Sequence, residues 1–294
     1  MRPEAAISAS WAGRTLDGPE PKRPSSGRRQ GAFMARSSHL ALNNGATFRL
    51  PGARGQNAGK IGRKRKGVDV SQLIDTAEMY LKTVLELNEE GIPALRARIV
   101  ERLGQSGPTV SETVSRMERD GLVKMGRGRE IEFTEEGRIY AIQVMRRHRL
   151  SERLLYDVIK VDWTRLHDEA CRWEHVISDD VAERIDALLN HPLTDPYGNC
   201  IPAADATSIS DVRAEDVVSL LDASEGESRV VDRITESVQL DPDILSMLAE
   251  VGIVPGAKIT IDVIDDDGVS VSKKADSVRL SVDIARGIYV QPIK

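Results

Sequence analysis

The chain has 294 residues, of which 40% are hydrophobic, 30% charged and 4% aromatic, a length that fits two or three domains with ordinary cores. No run approaches the ~18 apolar residues of a membrane span, no apolar core with a small-residue cleavage site marks a secretory leader, and two cysteines, Cys171 and Cys200, are too few for a disulfide scaffold and fit a reducing, cytoplasmic setting. The net charge of −5 hides an asymmetry, with 14 Lys and Arg against 3 Asp and Glu in residues 1–67 and 27 against 43 in the remainder, so DNA binding by the acidic body needs a local site.

Residues 1–67 are rich in Gly, Ser, Ala and Arg, lack an apolar period and end in Arg63-Lys64-Arg65-Lys66. They are expected to form a disordered basic extension. Two readings of it stay open: an arm that touches DNA, or a solvated tail, including sequence upstream of a later start codon. Order is expected from about Val70, where Ile74, Ala77, Tyr80, Leu81, Val84, Leu85 and Leu87 recur at helical spacing until Gly91-Ile92-Pro93. A second helix is expected over Leu95–Leu103. A third follows the Gly104–Pro108 turn, with the proline in its first turn and Gly121 at its end. Leu122–Met125 and Glu130–Phe133 read as short strands flanking a Gly126–Arg129 hairpin tip, and Thr134 as the cap of the next helix.

Three helices and a small hairpin in this order describe a winged helix-turn-helix. At 100° per residue, Val110, Val114 and Met117 fall within about 60° of one another on the third helix and face the core. Glu112, Ser115, Arg116 and Arg119 point away, with Thr109 and Ser111 at the edges. One packed side and one short, polar, basic side suit a major-groove reader; an ordinary amphipathic surface helix is the alternative. From Thr134 to Asn190 the pattern is helical, with Asp162 and Ser178 as further caps. Residues 191–224 read as a linker with little regular structure. From about Glu227, short apolar alternations (Val254, Ile259, Ile261, Val263; Val269, Val271; Val278, Leu280, Val282; Ile288, Val290) with turns at Asp265–Gly268 and Arg286-Gly287 point to a small SH3-like β-barrel.

Three of the five histidines, His148, His167 and His175, share a 28-residue window with Cys171, Glu152 and Glu174. On one helix, Cys171, Glu174 and His175 stand at i, i+3 and i+4, in directions of about 0°, 300° and 40°, and converge on one point. His148 and Glu152 form a second i, i+4 pair that His167 can join. Thiolate, imidazole and carboxylate suit a divalent transition metal and match Mg2+ or Ca2+ poorly. The competing reading is a surface Glu–His pair beside a small core cysteine.

With these residues in view, the chain resembles the diphtheria toxin repressor and iron-dependent regulator family of metal-activated winged-helix repressors. The resemblance covers roughly residues 70–294. It is dense over Asp75–Leu103 (DTAEMYLKTVLELNEEGIPALRARIVERL), Gln105–Val123 (QSGPTVSETVSRMERDGLV), Val144–Leu155 (VMRRHRLSERLL) and His167–Val176 (HDEACRWEHV). It implies a mainly α protein with small β parts: a basic extension (1–67), a winged helix-turn-helix domain (68–142), a helical metal-binding and dimerisation domain (143–209), a linker (210–224) and an SH3-like domain (225–294). It further implies a primary metal site of Met79, Cys171, Glu174 and His175. The implied ancillary site is His148, Glu152 and His167, with Glu236 and Gln239 from the ITESVQ segment.

The implied partners are operator double-stranded DNA and a second copy of the chain, with one homodimer or two on an operator and no membrane. The implied cofactor is Fe2+ at two sites per subunit, with Ni2+, Co2+, Mn2+ or Zn2+ as in vitro substitutes, because Met79 and Cys171 are soft donors. DNA-backbone contacts carry over to Thr76, Arg96, Ala97, Ser106, Thr109, Ser111, Arg116, Arg119 and Arg129, while Pro108 and Ser106 approach thymine methyls. One departure is Glu112, where the family reads bases with glutamine. Glutamate only accepts, so it takes a hydrogen bond from cytosine N4 and repels phosphate. A second is Cys200 in YGNCIP, which replaces a proline and weakens the implied docking of the linker on the barrel as a proline-containing ligand. The expected function is a non-enzymatic, iron-activated repressor of iron uptake and homeostasis genes. A manganese-responsive repressor is the near alternative. A metal-dependent hydrolase with Glu174 as base lacks the HExxH spacing, and a metal-storage protein leaves the helix-turn-helix without a use.

Overall fold

The computed structural model describes residues 70–208 and 216–293; the expected basic extension therefore lies outside the described residues, as does the first part of the expected linker. The N-terminal unit begins with α1 (Val70–Glu89), α2 (Arg96–Leu103) and α3 (Gly107–Arg119). Ser106 caps α3 by accepting from the Thr109 amide, and Pro108 sits in its first turn, where a missing N–H is no loss. Val110, Val114 and Met117 are buried while Thr109, Ser111, Glu112, Ser115 and Arg119 are exposed. The expected two-sided helix is thus present. Strands β1 (Val123–Met125) and β2 (Ile131–Phe133) pair antiparallel as the wing. The Ile131 amide donates to the Ala94 carbonyl and ties the wing to the α1–α2 connection.

Helix α4 (Glu135–Leu154) starts at Thr134, whose hydroxyl accepts from the Gly137 amide. The expected domain boundary at 142/143 falls inside this helix. Its first half, with Ala141, Ile142 and Met145, belongs to the N-terminal core; its second half carries Leu150 against Ala182 and Ile185. No break is encoded there: the helix has no proline, and no glycine after Gly137, through Leu154. After a π-helical turn at Leu155–Ile159 and a short 3-10 turn at Trp163–Arg165 come α5 (Leu166–Trp173) and α6 (Asp179–Leu188). Asp162 and Ser178 accept backbone amides at these starts, as expected for caps. Helix α5 is shorter than the sequence reading assumed: it ends at Trp173, and Glu174 and His175 occupy the turn beyond it.

The C-terminal unit consists of β3 (Val218–Ser219), β4 (Ser228–Ile234), α7 (Glu236–Gln239), α8 (Pro242–Val251), β5 (Lys258–Asp265), β6 (Gly268–Lys273), β7 (Asp276–Ser281), α9 (Val282–Arg286) and β8 (Ile288–Pro292). The strands form one antiparallel sheet in the order β3-β8-β4-β5-β6-β7. Two expectations are corrected. The end of the supposed linker is part of this unit, since β3 pairs with β8 and Leu220 is fully buried. Val282, grouped above with a strand, opens α9 instead. Helix α8 was not foreseen, although Asp241 caps it, Pro242 starts it and Gly252 ends it in the left-handed conformation; attention to the β alternation hid that punctuation.

One hydrophobic core joins the sheet to the preceding helices, because Leu155, Leu166, Ala170 and Tyr197 pack into it with Val231, Ile234 and Ile288. The segment 195–199 is not loose linker. Asp195 Oδ1 accepts from the Tyr197 and Asn199 amides, Asn199 Nδ2 donates to the Ile234 carbonyl, and the Ile234 amide donates to the Tyr197 carbonyl. The contacts come from Tyr197 and Asn199 rather than from a proline ligand, so Cys200 does not prevent docking. Among the described residues no helix is long and apolar enough to cross a membrane. Gly198 has φ +90°, and a Cβ there would lie 2.2 Å from the Asp232 carbonyl oxygen. Gly198→Ala is therefore expected to lower stability by about 1–3 kcal/mol, read as a drop in Tm against the unaltered chain.

Candidate metal centre

Helix α4 is buried on all sides from Arg146 to Glu152, although six of those seven residues are polar. Burying polar groups is tolerated only where partners satisfy them. Arg147 donates to Glu78 Oε1 and to the Glu174 carbonyl. Arg149 donates to Glu89, to Glu236 Oε1 and to the Cys200 carbonyl. Helix α1 supplies the facing row, Glu78, Lys82, Glu86 and Glu89, at roughly helical-turn spacing.

Between these rows lie the metal-type donors. The ligand atoms of His148, His167 and Cys171 all fall within 4.8 Å of one another. Glu152 Oε1 is 3.0 Å from His148 Nε2 and 3.5 Å from His167 Nδ1. None of these three atoms makes an aligned hydrogen bond, and neither does buried Glu152 Oε2. Gln239 donates through Nε2 to the Ile234 carbonyl, but its buried Oε1 has no hydrogen-bond partner. Converging acceptors and imidazole nitrogens that do not satisfy one another fit a cation that takes several ligands at once. The chemistry of the set, one thiolate with two imidazoles and a carboxylate, fits a transition metal.

The two expected ligand sets are not kept apart. Cys171, assigned to the primary set, has its Sγ 3.5 Å from His167 Nε2 of the ancillary set. Glu174 Oε2 lies 2.6 Å from His148 Nδ1, again across the sets. His175 Nδ1 donates to Glu78 Oε2 at 2.7 Å, which turns its Nε2 to within 3.4 Å of Glu174 Oε1. Met79 packs, partly buried, against the N-terminal core. Glu236 is buried and its Oε1 accepts from Arg149. Although Glu174 and His175 lie in the turn beyond α5, Glu174 stays near both of its expected companions: it shares Lys82 Nζ with Cys171 and lies 3.4 Å from His175 Nε2.

Sequence reasoning missed Lys82, Glu78 and Arg149. Lys82 Nζ is 2.9 Å from Glu174 Oε2, 3.1 Å from His148 Nδ1 and 3.3 Å from Cys171 Sγ. The available signal was position: Glu78 adjoins Met79, and Lys82 lies one turn further on. A charged residue on a helix normally reads as solvent-facing, so the signal was passed over.

The electrostatics follow from this packing. Burial alone would push the Cys171 thiol up, but the Lys82 ammonium with His167 and His148 outweighs it and holds the thiol well below its ordinary range. Burial and Lys82 push His148 down, yet Glu152 and Glu174 hold it well above the imidazole range. Burial disfavours ionised Glu152 and Glu174, but His148 on the first, and Lys82 and His148 on the second, hold both carboxyls low. Burial lowers His167, and Cys171 and Glu152 raise it further, to about 9.

The expected DNA-contacting residues lie on the N-terminal unit. Ala97 on α2, Ser106, Pro108, Thr109, Ser111, Glu112 and Arg119 on or next to α3, and Arg129 on the wing are exposed; Thr76, Arg96 and Arg116 are partly so. Two of the arginines are oriented by the fold: Arg96 points to Met125 Sδ, and Arg119 Nε donates to the Ser115 carbonyl.

A winged helix whose first helix runs into a buried thiolate–imidazole–carboxylate cluster is the build of a metal-responsive DNA-binding regulator. Comparison with known proteins agrees. Residues 72–129 match the iron-dependent repressor N-terminal DNA-binding domain, 134–203 the iron-dependent repressor metal-binding and dimerisation domain, and 218–292 the FeoA domain. The chain is 46% identical over 230 residues to the iron-dependent repressor IdeR of Mycobacterium tuberculosis, covering 76% of this chain and 100% of that one. It is 42% identical over 229 residues to the diphtheria toxin repressor of Corynebacterium diphtheriae, covering 76% and 100%. Among solved structures it is similar to a manganese-dependent transcriptional repressor in complex with manganese (TM-score 0.64, 32% identity, 74% of this chain and 100% of that one). It is also similar to the IdeR of T. acidophilum (TM-score 0.62, 26% identity, 74% and 97%). The chain belongs to the iron-dependent repressor family, metal-activated transcriptional repressors and not enzymes.

The raised His167 has a consequence for the metal-free protein. A histidine held at about 9 when folded, against 6.5 ordinarily, contributes stability that is complete below pH 6.5 and is lost as pH rises to about 9. Cys171, held as thiolate, contributes with the opposite sign over the same window, so with chelator present His167→Gln is expected to make Tm rise more, or fall less, between about pH 6.5 and 9 than in the unaltered chain.

Proposed function

We propose that this chain is a cytoplasmic, Fe2+-activated homodimeric repressor of iron uptake and homeostasis genes. The observation that carries the reading is the buried set of donors around His148, His167 and Cys171, built into the same helices that hold up the winged helix. Met79, Cys171, Glu174 and His175 form the primary site in this reading. His148, Glu152 and His167, with Glu236 and Gln239, form the ancillary one, giving two ions per subunit. The soft Met79 and Cys171 favour Fe2+ over Mn2+, with Ni2+, Co2+ and Zn2+ as substitutes in vitro. When bound, the ion supplies a cross-link between α1 and the helices behind it.

The chain's own residues do the rest. Glu78 holds His175 by Nδ1 and so presents its other nitrogen, the outer-shell support that metal-binding histidines use. Met79 lies on α1, which leads through α2 into α3, so fixing α1 against α4 and α5 fixes where α3 sits on the scaffold. In a homodimer that sets the separation of two reading helices, which must be near one DNA repeat to enter successive major grooves. Moving the competent fraction from 1% to 99% needs about 5.5 kcal/mol of preference, within reach of a few metal–ligand bonds. Thr76, Arg96, Ala97, Ser106, Thr109, Ser111, Arg116, Arg119 and Arg129 hold the DNA backbone, Ser106 and Pro108 meet thymine methyls, and Glu112 reads a base. One dimer or two occupy an operator. The partition into 68–142 and 143–209, followed by a C-terminal unit that takes in β3 from the end of the expected linker, behind a basic extension at 1–67, belongs to the same proposal. A manganese-responsive repressor is the second reading, favoured by the similarity to a manganese-dependent repressor.

Anaerobic titration of the metal-free chain with Fe2+ and Mn2+, scored by mobility shift of DNA fragments selected from a random pool, tests the proposal. A shift at lower Fe2+ than Mn2+ is expected; the reverse order makes the second reading the right one. Cys171→Ala and Met79→Ala are each expected to weaken metal-dependent binding by at least about 10–100-fold while circular dichroism stays unchanged. Glu112→Gln is expected to change the sequence selected from the pool, and recovery of the same sequence would remove Glu112 as a base reader.

A further inference from the structure

Lys82 stands among donors expected to hold a cation while carrying a positive charge itself. Its ammonium touches Glu174 Oε2, His148 Nδ1 and Cys171 Sγ at 2.9, 3.1 and 3.3 Å, and its side chain is only 6% exposed. Helix packing does not require it, since an apolar side chain of similar length would fill the space without desolvating a charge. What the position does require is a cation, because Cys171 and Glu174 are anionic and out of water. The charged groups facing the ammonium are Glu174 and Cys171 from α5 and the turn after it, His148 from α4 and Glu86 from α1 itself. Glu86 Oε1 is 3.9 Å away, one turn along the same helix, and Glu86 Oε2 is shared with Arg102.

We propose that Lys82 is a tethered competitor for the metal: its ammonium occupies the Cys171–Glu174–His148 pocket in the metal-free chain and must swing along α1 to Glu86 when a divalent ion enters. The inference rests on the reading that these donors hold a metal, and goes beyond it by assigning Lys82 a role in setting the threshold. An ammonium and a divalent ion cannot share Cys171 and Glu174 at contact distance, since like charges there repel strongly in a medium of low dielectric. The exchange replaces one cation by another. The lysine keeps its proton, no bond of the chain is made or broken, and the anionic donors are never left bare. Two consequences follow. In the metal-free chain α1 is held near α4 and α5 through the Lys82 ammonium and not through Met79, which packs on the N-terminal core, and more metal is needed for activation than an unfilled pocket would need.

The test uses the full-length chain with Lys82→Met and, as a polar neutral variant that can still hydrogen-bond the donors, Lys82→Gln. Co2+ is titrated anaerobically and followed by its thiolate absorption, and Tm is measured with chelator and with saturating Co2+. Removing a unit charge at contact distance is expected to tighten Co2+ binding by about tenfold or more. The chelated variants are expected to melt lower than the unaltered chain, and their gain in Tm on Co2+ saturation to be larger. This last readout holds even where a metal-free variant is largely unfolded. Equal or weaker Co2+ binding in both variants, or an equal or smaller gain in Tm, overturns the proposal. Failure of the underlying metal reading looks different: the unaltered chain then shows no thiolate–cobalt band, its spectrum matches that of Cys171→Ser, and the Lys82 proposal falls with it.

Discussion

Beyond the apolar core that α1 shares with the first half of α4, the charged face of α1 meets the second half of α4 and the turn after α5 through ionic contacts. Glu78 meets Arg147, Glu89 meets Arg149, and Lys82 meets Glu174 beside His148. Buried ion pairs add little net stability, because desolvation offsets much of their attraction, but breaking one partner away is costly. Such a seam therefore specifies one docking of α1 more than it strengthens the fold. It is also responsive: any change in the charge held between the two helices alters the seam directly, whereas an interface of leucines would be indifferent.

The seam matters because of what each side is attached to. On one side, α1 shares the core of the winged helix through Tyr80, Leu81, Val84 and Leu87. On the other, α5 shares the core of the C-terminal sheet through Leu166 and Ala170. Both cores are close-packed and transmit displacement rather than absorb it. The sheet unit is tied into the same arrangement by Tyr197 and Asn199 on β4, and by Glu236 on Arg149. Three units thus meet at one polar locus.

Most helices were legible in the sequence because local chemistry marks them. Ser106, Thr134, Asp162 and Ser178 announce helix starts through side-chain oxygens that accept backbone amides, and the apolar period of α3 predicts its buried face. Helix α8 had the same marks in Asp241, Pro242 and Gly252 and was hidden only by the surrounding β alternation. The candidate ligands were legible as residue types and spacing, and four dense motif blocks assigned them to a family. Their arrangement was not. Helical spacing placed Cys171, Glu174 and His175 on one face; the helix ends at Trp173, and the partners that gather there, Lys82 for Cys171 and Glu174 and Glu78 for His175, lie on α1, which spacing does not name.

The sequence by itself determined the elements, the donor inventory and the family, since each rests on patterns within a few residues or on motifs read whole. Tertiary structure alone decided which charges share a pocket. Glu78 and Lys82 have the composition of a solvated helix face, and only the approach of α4 and the turn after α5, 69 and 92 residues further along the chain, turns that face inward. Pairing of this kind depends on which surfaces meet, and no local period in the sequence encodes it.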